Sequence, residues 1–247
     1  MNASLRPINP YISVDCVIFG FKTNKLKVLL IEREYTDENG ERASDLKLPG
    51  DFITRMEDLD HAASRTLKEL TGLRDIFLKQ FYTFGHPERV NRKIDMNWWF
   101  DTTGMTIHRV VTTAYFSLIN ISESNEEFAI KNNASWIDVD QIPILAFDHG
   151  EIVEKGLLHL QNALKNEPIG FEMLPEKFTI RKLQTLYEAI FNVKLDNRNF
   201  RKKILKAKHL VQLDEKQAGV AHKPAYYYRF NKTIYEQTKK ESLGFNF

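Results

Sequence analysis

Residues Leu48–Leu73, LPGDFITRMEDLDHAASRTLKELTGL, carry the strongest pattern in the chain. In the second half of this segment, apolar residues recur at the spacing of one helical face, namely Leu59, Ala62, Ala63, Leu67 and Leu70. Gly72 follows at the position where glycine commonly ends a helix. The pattern therefore predicts an amphipathic helix over Leu59–Leu70.

Strand-like segments lie on both sides of this helix. Ser13–Gly20 and Lys27–Glu32 are apolar, β-branched runs separated by the turn-prone Lys22-Thr23-Asn24, which predicts a hairpin. Further strands are predicted at Phe77–Phe84, Arg109–Ile119 and Ala134–Val139. Two polar segments are predicted to be loops, Tyr35–Ser44 and the long insertion His86–His108. A loop as long as the second usually has a function. The front half is thus predicted to be a mixed α/β domain.

Length and charge both divide the chain in two. A chain of 247 residues is longer than most single domains. The pattern changes from strands to helices near residue 150, which predicts domains at 1–150 and 151–247. From Glu151 onward there are 18 Lys and Arg against 11 Asp and Glu, a net +7, whereas residues 1–150 carry 17 against 22, a net −5. The basic back half favours a polyanion partner, and the alternative is a solvated basic surface.

Two short helices joined by a turn are predicted in the back half, after a linking helix over Glu151–Lys165. The first follows the capping residue Thr179, and its apolar face consists of Leu183, Leu186, Tyr187 and Ile190. The turn Phe191–Leu195 leads to a second helix, which Asp196 caps. The apolar side of this second helix consists of Phe200, Ile204 and Ala207, and its other faces are strongly basic. This is the layout of a helix pair that reads DNA.

A β-hairpin is predicted behind the second helix, with strands at Leu210–Leu213 and Tyr226–Phe230. Helix pair and hairpin together predict a winged helix-turn-helix domain that binds double-stranded DNA. Arginine and asparagine early in the second helix suit base edges, and the later lysines suit phosphates. The candidate DNA-binding residues are Arg181, Lys182, Arg198, Asn199, Arg201, Lys202, Lys203, Lys206, His222 and Lys223. The alternative is a small helical domain with a solvated basic helix.

The Leu48–Leu73 segment resembles the Nudix signature, G-x5-E-x7-R-E-U-x-E-E-x-G-U, in which U is an aliphatic residue. Asp51 stands at the glycine position, whereas the matching positions are Glu57, Arg65, Glu69, Gly72 and Leu73. The preceding Leu48-Pro49-Gly50 and the surrounding strands fit the same family. The resemblance implies that the front half is a Nudix-like α/β/α sandwich.

Two departures from this signature concern the metal site. In Nudix hydrolases, glutamates on the helix bind Mg²⁺ ions that neutralise a diphosphate and activate water. Here Thr66 and Leu70 take the places of two of these glutamates, and neither side chain can replace a carboxylate. The sequence therefore predicts no hydrolysis, no catalytic or metal site and no cofactor. Arg65 and Glu69 are expected to form a structural ion pair.

A Nudix-like domain followed by a basic winged helix resembles the Nudix-related transcriptional regulators. The resemblance rests on Leu174–Thr179, Asn199–Ile204 and Lys223–Ala225 in the back half and on Tyr82–Gly85 in the front half. It implies a homodimeric repressor or activator whose front domain binds an effector and alters the affinity for DNA. Members of this family sense ADP-ribose in NAD metabolism or pentoses in sugar catabolism. The long insertion and the missing carboxylates favour a pentose, L-arabinose before xylose, over ADP-ribose. The expected role is therefore a repressor of carbohydrate-utilisation genes.

An effector site is expected on the cleft side of the front domain, because a sugar needs bidentate polar groups and often an aromatic face. The candidate effector-binding residues are Asp15, Arg33, Lys47, Asp51, Glu69, Tyr82 and His86. The alternatives are that Arg33 pairs with Glu69 and that His86 is a turn residue. Trp98 and Trp99 are expected at a dimer interface or in the core rather than on the sugar.

Three further features concern location. No apolar run approaches the roughly 18–20 residues of a membrane span, and Met1–Pro10 lacks a signal-peptide pattern. The single cysteine, Cys16, lies in an apolar run and is predicted to be a buried strand thiol. These features predict a cytoplasmic protein without a membrane partner. Two other classes remain as alternatives, an active Nudix hydrolase tethered to nucleic acid and a scaffold or RNA-binding protein.

Overall fold

The structure is a computed structural model that describes residues 8–166, 173–206, 210–221 and 223–234. The chain divides into two compact units. The first comprises Met1–Gly20 and Lys27–Leu158, and the second comprises Phe21–Leu26 and His159–Phe247. Within the described ranges, no helix has both the length and the apolar character needed to cross a membrane.

One β-sheet forms the frame of the first unit. Its strands are β1 (Ile8–Lys22), β2 (Lys25–Thr36), β3 (Arg42–Lys47), β4 (Gly50–Thr54), β5 (Lys79–Phe84), β6 (Val111–Asn120) and β7 (Ala134–Asp138). They are ordered β3-β2-β1-β6-β5, with β4 paired to β1 and β7 paired to β2. The predicted hairpin is confirmed, because β1 and β2 are joined by Thr23 and Asn24, with φ of 50° and 64° as tight hairpin turns require. The pairing of β4 with β1 sets Asp15 opposite Gly50 and places the Nudix segment on the sheet.

Helix α1 (Leu59–Thr71) confirms the helix predicted within the Nudix segment. The Asp58 side chain accepts a hydrogen bond from the backbone N–H of His61, and Gly72 ends the helix with a φ of 74°. The apolar face belongs to a buried cluster that includes Ala62, Ala63, Leu67, Val14, Cys16, Ile18 and Leu29. The prediction for Cys16 is confirmed, because the residue is fully buried and burial raises the pKa of its thiol.

The predicted loop over Tyr35–Ser44 is confirmed only for the turn Asp37–Glu41, because strands occupy both of its ends. Strand β2 continues to Thr36 and β3 begins at Arg42, and these two residues face each other in antiparallel register. The turn between them is closed by Asp37, whose Oδ1 accepts hydrogen bonds from the backbone N–H groups of Asn39 and Glu41. This hairpin is mostly exposed and polar, so it lacks the apolar alternation by which strands are found in a sequence.

The prediction of a long loop over His86–His108 is wrong, because Lys93–Thr103 form helix α2. Trp99 on this helix is buried in a cluster with Phe52, Val90, Ile107 and Val110, so the expected core position of Trp99 is confirmed. The helix was missed because its large apolar residues, Trp98 to Phe100, are consecutive and do not follow a helical period. Helix α3 (Glu123–Lys131) was likewise not predicted.

Helix α4 (His149–Asn166) contains the predicted linking helix and contributes residues to both units. The second unit continues with α5 (Ile180–Phe191), α6 (Asn197–Ile204), β8 (Leu210–Lys216) and β9 (Tyr226–Phe230), which confirms the predicted helix pair and hairpin. The predicted caps are confirmed, because the side chains of Thr179 and Asp196 accept hydrogen bonds from backbone N–H groups in the first turns of α5 and α6. Phe200 and Ile204 are buried as expected, and Ala207 lies outside the described residues.

The turn between α5 and α6 is fixed by polar side chains. Gln184, which is 2% exposed, donates to the Leu195 carbonyl at 2.7 Å and to the Glu188 carboxylate at 3.0 Å. The same carboxylate accepts the backbone N–H of Leu195 at 3.0 Å. A buried polar group whose hydrogen bonds are made favours one conformation. These bonds therefore fix how the chain passes from α5 into α6.

Candidate functional sites

A cleft opens in the first unit beside strands β1 and β4, helix α2 and the start of α4. Its polar side is formed by buried side chains, namely Asp15, Lys47, Arg89 and His149. Burial of ionisable groups is costly unless they have partners. The partners of these four groups therefore decide what the cleft can bind.

The charges of the cleft lie among opposite charges. Arg89 donates to the two carboxylate oxygens of Asp148 at 2.8 and 2.7 Å, and its Nη2 lies 3.8 Å from Asp15 Oδ2. Lys47 Nζ donates to the Gly50 carbonyl at 3.3 Å. Burial raises the pKa of the Asp15 carboxyl and lowers the pKa of the Lys47 ammonium, and the attraction between opposite charges opposes both shifts.

His149 is held in one tautomer. Its Nδ1 accepts the backbone N–H of Leu48 at 2.8 Å, so the proton of the neutral ring lies on Nε2. This Nε2 is 3.4 Å from Asp15 Oδ1. Burial, and then the positive charge of Lys47, lower the pKa of His149 well below 6.5. At pH 7 the ring is therefore neutral, and its remaining hydrogen-bonding group is an N–H donor.

Aromatic rings also line the cleft, namely those of Trp98, Trp99 and Phe147. Phe147 stacks on Trp99 with ring centroids 5.1 Å apart, and it meets Trp98 edge-on at 6.0 Å. Lys47 Nζ lies 5.6 Å from the centre of the Trp98 ring. Rings beside a few fixed polar groups suit a ligand that has a ring-shaped part with hydrogen-bonding substituents.

Three of the seven predicted effector-binding residues line this cleft, namely Asp15, Lys47 and Asp51. Arg33 is not among its lining residues. Its buried guanidinium binds Asp45 at 2.5 and 2.8 Å and Asp95 at 2.7 Å. Arg33 therefore supports the unit through a buried ion-pair cluster.

The other three predicted residues also lie outside the cleft. Glu69 is bound by Arg65 at 3.3 Å. Tyr82 is exposed on β5, where Lys155 Nζ lies 4.0 Å from the centre of its ring. His86 is exposed, and its Nδ1 accepts the backbone N–H of Glu88 at 3.3 Å, which agrees with the alternative that it is a turn residue.

Sequence reasoning missed several residues of the cleft, among them Arg89, Phe147 and His149. Arg89 lies in the segment that was interpreted as a loop. Phe147 lies two residues before α4 and His149 is its first residue, both far along the chain from β1. One available signal was the polar pair Asp148-His149 directly before the helical pattern of α4, since helix starts often bind ligands.

Arg65 binds three carboxylates of the Nudix segment. It donates to Glu57 at 2.8 and 2.9 Å, to Asp51 at 2.9 Å and to Glu69 at 3.3 Å, so the predicted ion pair with Glu69 is confirmed. The hydrogen bonds from Arg65 hold the pKa of the Glu57 carboxyl below its usual range. Among the residues that the structure describes, no three or more His, Cys, Asp or Glu are grouped so that they could hold a metal ion.

Thr66 and Leu70, at two glutamate positions of the signature, lie against the core of the first unit. Thr66 is fully buried. Leu70 is partly buried and packs on the cluster beneath α1. Both side chains therefore contribute to packing.

Helix α6 turns its basic side chains to solvent. The exposed candidates on this helix or just behind it are Arg198, Asn199, Arg201, Lys202, Lys203 and Lys206. Arg181 and Lys182 are exposed at the start of α5, and Lys223 is exposed between β8 and β9. His222, the remaining candidate, lies outside the described residues. The second unit therefore carries an exposed cationic surface of the kind that contacts nucleic acid.

Two family models match the chain. The NUDIX domain model matches residues 10–156. The NrtR DNA-binding winged helix domain model matches residues 170–230. Together they cover both units.

Individual relatives also match over most of their length. The chain is 28% identical over 226 residues to the ADPR responsive transcriptional repressor NtrR of Acinetobacter baylyi, which covers 90% of this chain and 82% of that protein. Shewanella oneidensis NrtR, solved in complex with a 27mer DNA, is 25% identical with a TM-score of 0.64, over 89% of this chain and 93% of that one. A MutT/nudix family protein from Enterococcus faecalis is 21% identical with a TM-score of 0.61, over 91% and 89% of the two chains, and is similar in fold alone.

These matches agree with the geometry of the two units. The predicted fold class is confirmed, because a Nudix-like α/β domain is followed by a C-terminal winged helix domain. The relatives support the resemblance to Nudix-related regulators, and they do not support an arabinose-responsive branch of it. The NUDIX model covers more than half of the chain. The chain therefore belongs to the Nudix domain family, and a winged helix domain of the NrtR DNA-binding type follows its Nudix domain.

Proposed function

We propose that this protein is a DNA-binding transcriptional repressor whose Nudix domain binds an ADP-ribose-type effector without hydrolysing it. The observation that carries the proposal is helix α6, a capped second helix of a helix-turn-helix with its cationic side chains exposed. A helix of this kind enters the major groove of DNA. The match to a repressor over 90% of the chain supports the same role.

The proposed effector is ADP-ribose rather than a pentose. The sequence favoured L-arabinose, but the relative that matches both halves of the chain is an ADPR responsive repressor. The cleft is compatible with part of such a molecule. Asp15 and Lys47 line the cleft, where a carboxylate can accept hydrogen bonds from two neighbouring ribose hydroxyls and an ammonium can donate to a further oxygen of the ligand. The Trp98 ring offers an apolar face to a ribose or an adenine.

Binding without hydrolysis follows from the state of the carboxylates. A magnesium site for a diphosphate needs several oxygen ligands close together. Thr66 and Leu70 supply none, and Asp51, Glu57 and Glu69 are bound by a single guanidinium, that of Arg65. To bind metal, these carboxylates would first have to leave Arg65.

Helix α4 is the proposed route from effector to DNA. Its first residue, His149, lines the cleft. Near its other end, Gln161 donates to the carbonyl of Ile190 on α5 at 2.9 Å, and Leu164 accepts from the hydroxyl of Tyr187 at 3.4 Å. We propose a homodimer with two α6 helices on half-sites one DNA turn apart. A shift of α4 then changes that spacing, and the effector acts because it binds the two states unequally.

The test begins with an operator duplex enriched from a random-sequence pool by the full-length protein. Binding to this duplex is followed by fluorescence anisotropy at fixed salt, with ADP-ribose, L-arabinose or xylose titrated in. We expect ADP-ribose alone to weaken binding to the operator, while a scrambled duplex binds more weakly throughout.

Three other outcomes would contradict the proposal, each in a different way. Release by arabinose alone would make the pentose the effector. Consumption of ADP-ribose with Mg²⁺, with release of its phosphate-containing products, would make the protein an enzyme. Preference for single-stranded RNA over every duplex would replace the DNA-binding role.

A further inference from the structure

A chain of hydrogen bonds links α6 to both strands of the wing. The Arg201 guanidinium on α6 donates to the Tyr228 hydroxyl on β9 at 3.2 Å. That hydroxyl donates to Gln212 Oε1 on β8 at 3.0 Å. Gln212 and Tyr228 are partners in the β8–β9 register, so these hydrogen bonds connect α6 to two residues that face each other across the hairpin.

The middle member of this chain is firmly placed. Tyr228 is 1% exposed. Its backbone N–H donates to the Phe178 carbonyl at 2.7 Å, and its carbonyl accepts the Phe178 N–H at 2.9 Å. Phe178 directly precedes Thr179, the cap of α5. The Tyr228 hydroxyl is therefore tied through its own backbone to the start of the helix pair.

A second bond holds the beginning of α6. Arg181 on α5 donates to Asn197 Oδ1, on the first residue of α6, at 2.8 Å. Asn197 and Arg201 are four residues apart and so lie on one side of the helix, next to the buried Phe200 and Ile204. The helix is thus held at its first turn by α5 and in its middle by the wing.

The other polar side chains of α6 include several on faces of the helix different from that of Asn197 and Arg201. Arg198 and Lys202 are four residues apart and share a face on the side away from the buried stripe, and Asn199 lies beside that face. A helix that reads DNA must present one face at a set angle to the groove. The two sides of α6 therefore suit two different tasks.

We propose that Arg201 is a positioning residue, a strut between α6 and the wing through Tyr228 and Gln212, and that DNA contacts on α6 come from Arg198, Asn199 and Lys202. This inference rests on the proposed DNA-binding function. The sequence predicted that Arg201 contacts DNA, whereas this proposal gives Arg201 the role of fixing the angle of α6. It also gives the Tyr228 hydroxyl a role in operator recognition without contact to DNA.

The test compares neighbouring positions on the same helix in the full-length protein. Arg201→Ala and Lys202→Ala each remove one positive charge, and Tyr228→Phe removes only the hydroxyl. Affinities for the operator duplex and a scrambled duplex are measured by anisotropy over a range of salt concentrations. We expect Arg201→Ala and Tyr228→Phe to lower the operator-to-scrambled ratio by about three- to tenfold, the loss expected for one hydrogen bond, with the salt slope nearly unchanged.

Lys202→Ala is the matched control. It is expected to weaken both duplexes and to reduce the salt slope by about one, as the loss of a phosphate contact does. Arg201→Ala/Tyr228→Phe is expected to be no worse than either single change, because both changes break the same chain. Arg201→Lys, which keeps a donor, is expected to recover part of the operator preference.

Several results would overturn the strut. One is that Arg201→Ala behaves like Lys202→Ala while Tyr228→Phe leaves the operator preference intact. If Tyr228→Phe strongly lowers the melting temperature, Gln212→Ala tests the same hydrogen bonds at an exposed position. An unchanged operator-to-scrambled ratio in Gln212→Ala would then refute the strut. A wild-type protein without any operator preference would refute the proposed function as well.

Discussion

The cleft of the first unit and helix α6 of the second use charge in opposite ways. In the cleft, Asp15, Lys47 and Arg89 are at most 9% exposed and lie among opposite charges. On α6 the arginines and lysines are exposed, and the buried side chains that anchor the helix are apolar. A buried charge that loses its partner costs several kcal/mol of stability, whereas an exposed ion pair contributes little.

This difference separates folding from binding. A change of charge in or near the cleft is expected to act first on the stability of the first unit, because the partner left behind is desolvated. A change of charge on α6 is expected to act on DNA affinity and its salt dependence while the fold stays intact. Charge variants in the cleft should therefore lose stability, whereas charge variants on α6 should lose DNA affinity and keep their stability.

The largest effect is expected at Arg33, whose buried guanidinium binds Asp45 and Asp95. In Arg33→Met, two carboxylates lose their shared cation, and we expect the free energy of unfolding of the first unit to fall by about 3 kcal/mol. Urea unfolding followed by tryptophan fluorescence measures this, because all three tryptophans belong to that unit. The control is Arg42→Met on the neighbouring strand, where the exposed side chain should matter by less than about 0.5 kcal/mol. Equal losses in both variants would contradict the role of burial.

The next effect concerns Arg198, an exposed residue at the start of α6. In Arg198→Ala we expect the free energy of operator binding to weaken by about 1–3 kcal/mol, with relaxed preference at one base position. Unfolding should change by less than about 0.5 kcal/mol. Arg74→Ala removes an exposed arginine from the first unit and should leave operator binding unchanged. An Arg198→Ala protein with full operator affinity would remove Arg198 from the set of base contacts.

A pH effect is expected at His149. Burial, then Lys47, lower its pKa well below 6.5 in the folded protein, so below about pH 6.5 the unfolded chain binds a proton that the folded chain does not. Stability is therefore kept above pH 6.5 and lost as pH falls, by up to about 1.4 kcal/mol per pH unit from this group. His149→Asn, whose Oδ1 can take the place of Nδ1 and accept the Leu48 N–H, should lack this part of the slope. Parallel curves for wild type and variant between pH 7 and 5 would exclude a neutral buried His149.

The elements that the sequence predicted share a physical cause. Helices α1, α5 and α6 combine apolar residues at helical spacing with a capping residue, so local sequence and packing specify the same structure. The β2–β3 hairpin and α2 lack that agreement. The hairpin is polar because it is exposed, and α2 concentrates its aromatic residues at Trp98 to Phe100 instead of spreading them over one face.

The cleft was harder to predict than the elements around it. Asp15, Lys47 and Asp51 could be found because they lie on or beside strands that surround the Nudix segment. Arg89 and His149 join them only because the fold brings distant parts of the chain together, and no periodicity reports such an encounter. Arg33 was predicted to bind the effector, and the structure pairs it with buried Asp95 instead of placing it in the cleft lining. A charged residue in a strand looks the same in the sequence in either case.

The smallest effect is expected at the helix caps, where the two units can be compared directly. Asp58 accepts the backbone N–H of His61, and Asp196 accepts that of Asn199, both at 2.8 Å and both exposed. Either residue changed to alanine should cost about 1 kcal/mol, and asparagine should restore most of it. Tryptophan-monitored unfolding reports Asp58→Ala, whereas hydrogen exchange of the α6 amides and operator affinity report Asp196→Ala. A pure charge effect at Asp196 would have the opposite sign, because removing an anion beside DNA strengthens binding. Weaker operator binding by Asp196→Ala with near-normal binding by Asp196→Asn would therefore show that the order of α6, and not its net charge alone, sets the affinity.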